Sequence, residues 1–195
     1  MNLATKFYAA LALTLVALAA PEIVSAQQTI DYQRSQITFV SRQMNVPVEA
    51  KFNRFTAQLL FDPANPQASK ARIEVDLTSF DIGNDEVNAE IQGKDWFDTK
   101  TYPKATFVSS SVRALGEGRY EVRGPLTIKG RTHEIAAPFT VKTSASGSSA
   151  FDGTFTVRRL QYDIGAGVWN DTELVADDVQ VRFRLYTIGK TASKK

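Results

Sequence analysis

Cysteine is absent from the 195-residue chain, and histidine occurs once, at His133. Without cysteine there is no disulfide framework, thiol nucleophile, iron–sulfur cluster or Cys-type zinc site. A lone histidine is a poor metal ligand set. Charge of one sign is missing too, since 23 Lys and Arg stand against 21 Asp and Glu, interspersed along most segments. That pattern lacks the basic stripe of a nucleic-acid-binding protein. The one Lys-rich run, residues 190–195, reads as a solvated end.

Long hydrophobic runs are confined to the N-terminus. Lys6 and the α-amino group form a short positive region, followed by an uncharged apolar run at residues 7–20 (FYAALALTLVALAA). Val24-Ser25-Ala26 then offers small residues for cleavage before Gln27. The apolar run falls short of the roughly 20 residues that a membrane-spanning helix needs. Residues 1–26 therefore read as a cleaved export signal, which implies a soluble periplasmic product. Residues 27–195 read as one domain, long enough to bury a core without disulfides.

Catalytic signatures are equally scarce. The segment 143–150 (TSASGSSA) lacks the G-x-S-x-G of a nucleophile elbow and reads as a flexible hairpin loop. The glycines of 164–167 (IGAG) precede a Trp rather than a helix, and no P-loop is present. Glu86 and Glu90 read as a solvated helical face. Asp171, Glu173, Asp177 and Asp178 cluster, but without the alternating acids, Gly and terminal Glu of an EF-hand loop. No metal site and no catalytic residue is expected.

What the chain does have is period two. In 71–77, Ile73, Val75 and Leu77 alternate with Arg72, Glu74 and Asp76. In 178–187, Val179, Val181, Phe183 and Leu185 alternate with Gln180, Arg182, Arg184 and Tyr186, and 55–61 repeats the pattern. Each strand would have one dry and one charged face. Segments 35–43, 104–114, 119–128, 133–142 and 151–162 complete a set of about eight strands joined by turn residues. The set predicts an all-β antiparallel sheet closed as a barrel or folded as a sandwich. One stretch breaks the rule: Asn84 as a cap, early acids at Asp85 and Glu86, and Val87 and Ile91 four apart predict a short helix ending near Gly93. A lone helix in such a chain would lie over an open barrel end.

Several motifs occur in order: IDYQRSQITFV at 30–40, DLTSFDIGN at 76–84, KDWFDTKTYPKATFVS at 94–109, GPLTIKGRTHEI at 124–135 and VRRLQYDIGAGVWND at 157–171. With these the chain resembles the YceI-like family of periplasmic polyisoprenoid-binding proteins over 30–188. The resemblance implies an eight-stranded antiparallel lipocalin-like β-barrel with one short helix near a barrel end. It further implies a polyisoprenoid, such as a ubiquinone-type lipid or polyprenyl phosphate, in the apolar interior. It also implies transient contact with a membrane or a membrane b-type cytochrome. The family's Arg-Asp-x-His-Leu run is replaced here by Val87-Asn88-Ala89-Glu90-Ile91, which removes any inherited head-group contact through that His and Arg.

The ligand-facing wall is expected to comprise Phe39, Phe61, Val75, Ile82, Phe107, Ile128, Phe155 and Phe183 from the strands. Val87, Ile91, Trp96 and Trp169 are expected to join it from the helix and loops. Two other readings remain open at this point. One is a non-enzymatic adaptor with a solid barrel that docks a membrane b-type cytochrome or another partner. The other is an enzyme acting on a lipid-linked substrate.

Overall fold

Alternation along the chain becomes a single antiparallel sheet of eleven strands among the described residues, 27–189, of a computed structural model. The export signal at 1–26 and the Lys-rich tail at 190–195 lie outside those residues. The strands are β1 (Gln36–Gln43), β2 (Val46–Phe52), β3 (Phe55–Leu60), β4 (Lys70–Asp76), β5 (Phe80–Asp81), β6 (Lys104–Val108), β7 (Ser111–Gly116), β8 (Arg119–Ile128), β9 (Arg131–Thr143), β10 (Ser149–Arg158) and β11 (Asp178–Tyr186). Their order is β3-β4-β6-β8-β9-β10-β11-β1-β2-β5, and β7 shares with β6 the edge of β8 that β9 leaves free. The sheet curls round one apolar interior in a lipocalin-like fold. Its ladder is not closed: β3 and β5 end the path, and the segment before β1 covers the seam. Gln28 bridges to Leu59, Ile30 bridges to Thr187, and the Ala57 amide donates to the Tyr32 hydroxyl at 3.1 Å. The free edge of β3 is thereby paired rather than left as a template for another chain.

The strand count exceeds the expected eight for three local reasons. β2 carries Pro47, which masked the alternation of Val48, Ala50 and Phe52 with Glu49 and Lys51. β5 is two residues long. The expected strand 104–114 breaks at Ser109 and Ser110 into β6 and β7, where the Ser110 amide donates to the Arg123 carbonyl at 2.8 Å. Gly124 permits that break, because a Cβ there would collide with the Val108 carbonyl oxygen. The expected strand 151–162 stops at Arg158, and Arg159–Tyr162 form a 3-10 turn closed by Asp163 in the left-handed region, φ 59°.

The helix α1 (Asp85–Ile91) forms as its cap predicts: the Asn84 side chain accepts from the Glu86 and Val87 amides at 3.0 and 3.1 Å. Tight two-residue hairpins join β1 to β2 through Met44 and Asn45 (φ 46° and 65°) and β8 to β9 through Lys129 and Gly130 (φ 48° and 72°). Paired positive φ values match the twist of such hairpins. β10 pairs with β11 along its whole length but with β9 only from Ser149 to Gly153. Beyond that, Pro138 offers no amide to continue the ladder, and Thr154 turns its hydroxyl to the Val181 carbonyl at 3.1 Å. The wall is therefore forked between β9 and β10.

Substituting Gly124→Ala is expected to destabilise the fold by about 1–3 kcal/mol through overpacking against the β6–β7 crossing. Denaturant unfolding of the two proteins checks this, and an unchanged midpoint contradicts the role given to Gly124.

Candidate binding cavity

Inward-facing side chains of the curled sheet surround a cavity of about 280 Å³. β1 contributes Ile37 and Phe39, β4 Ile73 and Val75, and β11 Val179, Val181 and Phe183. Period two places these side chains together and sends Arg72, Glu74 and Arg182 outside. Out there Glu74 lies 2.6 Å from Arg72 and 3.1 Å from Lys104. Hydrogen bonds from those two cations hold its carboxyl below the ordinary glutamate pKa.

The cavity has a blind end and an open end. Phe139, Phe151, Leu185 and Val122 line the blind end and are buried. Phe61 braces it edge-on, 5.0 Å from Tyr120 and 5.3 Å from Phe151 between ring centroids. A second aromatic set stands nearer the other end: Phe39 is 5.4 Å from Phe52 and 5.5 Å from Phe80, and Phe97 is 6.0 Å from Phe52. Rings at these distances gain from edge contact while leaving space between them. At the open end the exposed Gln43 and Val87 border the cavity.

Of the sequence-selected wall residues, Phe39, Phe61, Val75, Ile82, Val87 and Ile91 line the cavity, as do Trp96, Phe107, Ile128, Phe155 and Phe183. Trp169 does not. Its ring packs on Trp96 at 5.5 Å between centroids, so it backs the wall from behind. Its segment, Gly167–Asn170, is a 3-10 turn outside the sheet, where strand alternation gives no guide to direction. Missed by the sequence reading were Val48, Ala50 and Phe52 of β2, together with Phe80 and Phe97. The alternation in 48–52 was there to be found. Phe97 beside Trp96 was not, because both residues lie in a turn after α1, where neighbours can face the same side.

Polar side chains on the wall are few: Ser41, Gln43 and Arg159. Arg159 is 2 % exposed and is held by backbone oxygens rather than by an acid. Its Nε donates to Ala176 at 3.1 Å, Nη1 to Ile164 at 2.9 Å and Nη2 to Val175 at 2.6 Å. Burial pulls its pKa below the ordinary guanidinium value, while Asp177 pulls the other way. With Nη1 also 3.3 Å from the Gly165 carbonyl, four of its five N–H donors meet loop carbonyls, and the group ties the 164–176 loop to the end of β10.

The remaining candidates have structural roles too. His133 Nε2 lies 3.0 Å from the Gln161 carbonyl, and its ring meets Tyr162 edge-on outside the cavity. Asp171 accepts from the Glu173 amide and Asp177 from the Leu160 amide, at 2.8 and 2.9 Å. Asp178 lies 3.9 Å from Arg158. Glu86 and Glu90 are exposed on α1. Among the described residues no group of three or more such side chains is placed to hold a metal ion.

Tyr162 is 1 % exposed, its hydroxyl has no hydrogen-bond partner among the described residues, and burial raises its pKa from 10.0 to about 12. A raised phenol pKa means that stability holds below the unfolded value and falls as pH climbs from there through the folded value. Tyr162→Phe is expected to remove about 2 kcal/mol of that alkaline loss while leaving neutral-pH stability equal or higher, since no hydrogen bond is lost. Denaturant unfolding at neutral and alkaline pH checks both halves.

Comparison with known proteins agrees with this architecture. A UPF0312 protein of Pseudomonas savastanoi pv. phaseolicola is 30% identical over 181 residues, covering 86% of this chain and 92% of the relative. Burkholderia cenocepacia BcnA matches in structure with a TM-score of 0.78 and 44% identity, over 80% of this chain and 98% of that one. A polyisoprenoid binding domain from Saccharophagus degradans, implicated in plant cell wall breakdown, shares the fold. Its TM-score is 0.67 at 20% identity, over 84% of this chain and 98% of that one. The model of the YceI-like domain matches residues 28–187, and the chain belongs to the YceI-like family.

Proposed function

We propose that this chain is a non-enzymatic carrier that holds the tail of a polyisoprenoid lipid, of the quinone or polyprenyl phosphate class, in its interior. The observation behind this reading is a cavity of about 280 Å³ whose wall has polar side chains only at Ser41, Gln43 and Arg159. Its size sits at the lower edge of the roughly 300–1,000 Å³ usual for small-molecule sites. Each CH₂ taken from water contributes about 0.8 kcal/mol, so a few prenyl units offset the several kcal/mol that association costs. A non-directional force of this kind needs a dry tube and no reacting group. A solid-barrel adaptor would have no such space. The polyisoprenoid binding domain with the same fold supports the ligand class by analogy. The N-terminal pattern at 1–26 supports work in the periplasm, where a free prenyl lipid would aggregate.

Mass spectrometry of an organic extract from natively purified protein tests the reading, and about one prenyl lipid per chain is the expected result. An extract without prenyl lipid, from protein whose melting is unmoved by added quinone or polyprenyl phosphate, would sink it. Ala50→Phe, on β2 in the middle of the wall, is expected to plug the tube. Displacing even two CH₂ groups weakens retention about ten-fold. Lipid per folded chain, measured against a melting control, reads the effect.

A further inference from the structure

The open end of the cavity is ringed by exposed apolar side chains. Met44 is 71% exposed, Val46 61%, Val168 74%, Leu174 41% and Val87 36%. They come from separate segments held together by backbone contacts. The Met44 amide donates to the Leu174 carbonyl at 2.9 Å, and Gln43 bridges to Val175. The Gly165 amide donates to the Asp95 carbonyl at 2.8 Å, and the Phe97 amide to the Ile91 carbonyl of α1 at 3.1 Å. The β1–β2 hairpin, the 164–176 loop and α1 thus form one collar, continuous with the cavity through Gln43 and Val87. Met44 stands at its tip with φ 46°, a left-handed conformation that suits Asn or Gly better than Met.

We infer that this collar seats on a lipid bilayer surface, where the prenyl tail enters and leaves the cavity. The inference rests on the carrier reading above. Two observations select a bilayer over a protein. Four of the five tips are Val or Leu, which are under-represented at protein-binding hot spots, where Trp, Tyr and Arg dominate. The tips also form a rim and not one flat face, with Met44 and Val46 from the β1–β2 hairpin, Val168 and Leu174 from the 164–176 loop and Val87 from α1. The charges around them define which bilayer. Exposed Asp85, Glu86, Asp171 and Glu173 outnumber Arg42 and Lys94, while Glu49 and Arg158 are already paired, with Arg182 and Asp178. An acidic collar is repelled by anionic lipid and settles on zwitterionic head groups.

Flotation with phosphatidylcholine vesicles, with and without phosphatidylglycerol, tests this, alongside transfer of a prenyl quinone between vesicles. Met44→Asn with Leu174→Asn is expected to weaken vesicle binding and slow transfer about ten-fold or more. Lipid per chain in the extract should stay unchanged. Asn suits the left-handed turn, so melting of the double variant should match or exceed that of the parent. Leu115→Asn, on the β7–β8 hairpin away from the collar, is expected to change nothing. Lipid retained in the extract, with vesicle binding absent or indifferent to the double substitution, overturns the collar and leaves the carrier standing. An equal effect of Leu115→Asn, stronger binding with phosphatidylglycerol, or transfer that proceeds only with an added protein fraction overturns it as well. Collar-dependent binding by protein whose extract holds no prenyl lipid supports the bilayer contact and removes the carrier.

Discussion

The interior depends on aromatic rings that brace one another without meeting in the middle. Phe61, Tyr120, Phe139 and Phe151 interlock at the blind end, and Phe39, Phe52, Phe80 and Phe97 do so nearer the open end. Phe61 and Phe97, which lie just outside the strands, make edge-on contacts with rings carried on β2, β8, β9 and β10. Smaller liners such as Ala50, Ala71 and Ala105 leave the space between them unfilled. Close packing is the rule for protein interiors, so a lasting void of this kind has to be propped by stiff side chains.

The main lines of this architecture were readable from residues alone. Alternation in 71–77 and 178–187 gave the strands and which side chains face inward, because period two is dictated by the backbone. The Asn84 cap with Asp85 and Glu86 gave the helix start, because capping is local chemistry. What failed to show were features set by tertiary contact. The break at Ser109 and Ser110 exists because Gly124, on another strand, lets a carbonyl approach. Trp169 faces away from the cavity because a 3-10 turn, not a strand, carries it. β2 was hidden by one proline.

Polar chemistry in this protein is spent on holding loops. Arg159, buried and bound to carbonyls, fixes the segment from which the collar's Val168 and Leu174 project. His133 braces the 3-10 turn after β10 through the Gln161 carbonyl. Residue types that often signal catalysis serve here as fasteners.

In the fork between β9 and β10, past Gly153, the two strands share no ladder hydrogen bond. The gap is tied again at its far end, where His133 Nε2 lies 3.0 Å from the Gln161 carbonyl and Lys129 donates to the Asp163 carbonyl at 2.6 Å. The wall therefore carries a slot framed at both ends, a stretch held by side-chain bonds at its rim instead of by a ladder, while the neighbouring ladders keep their register.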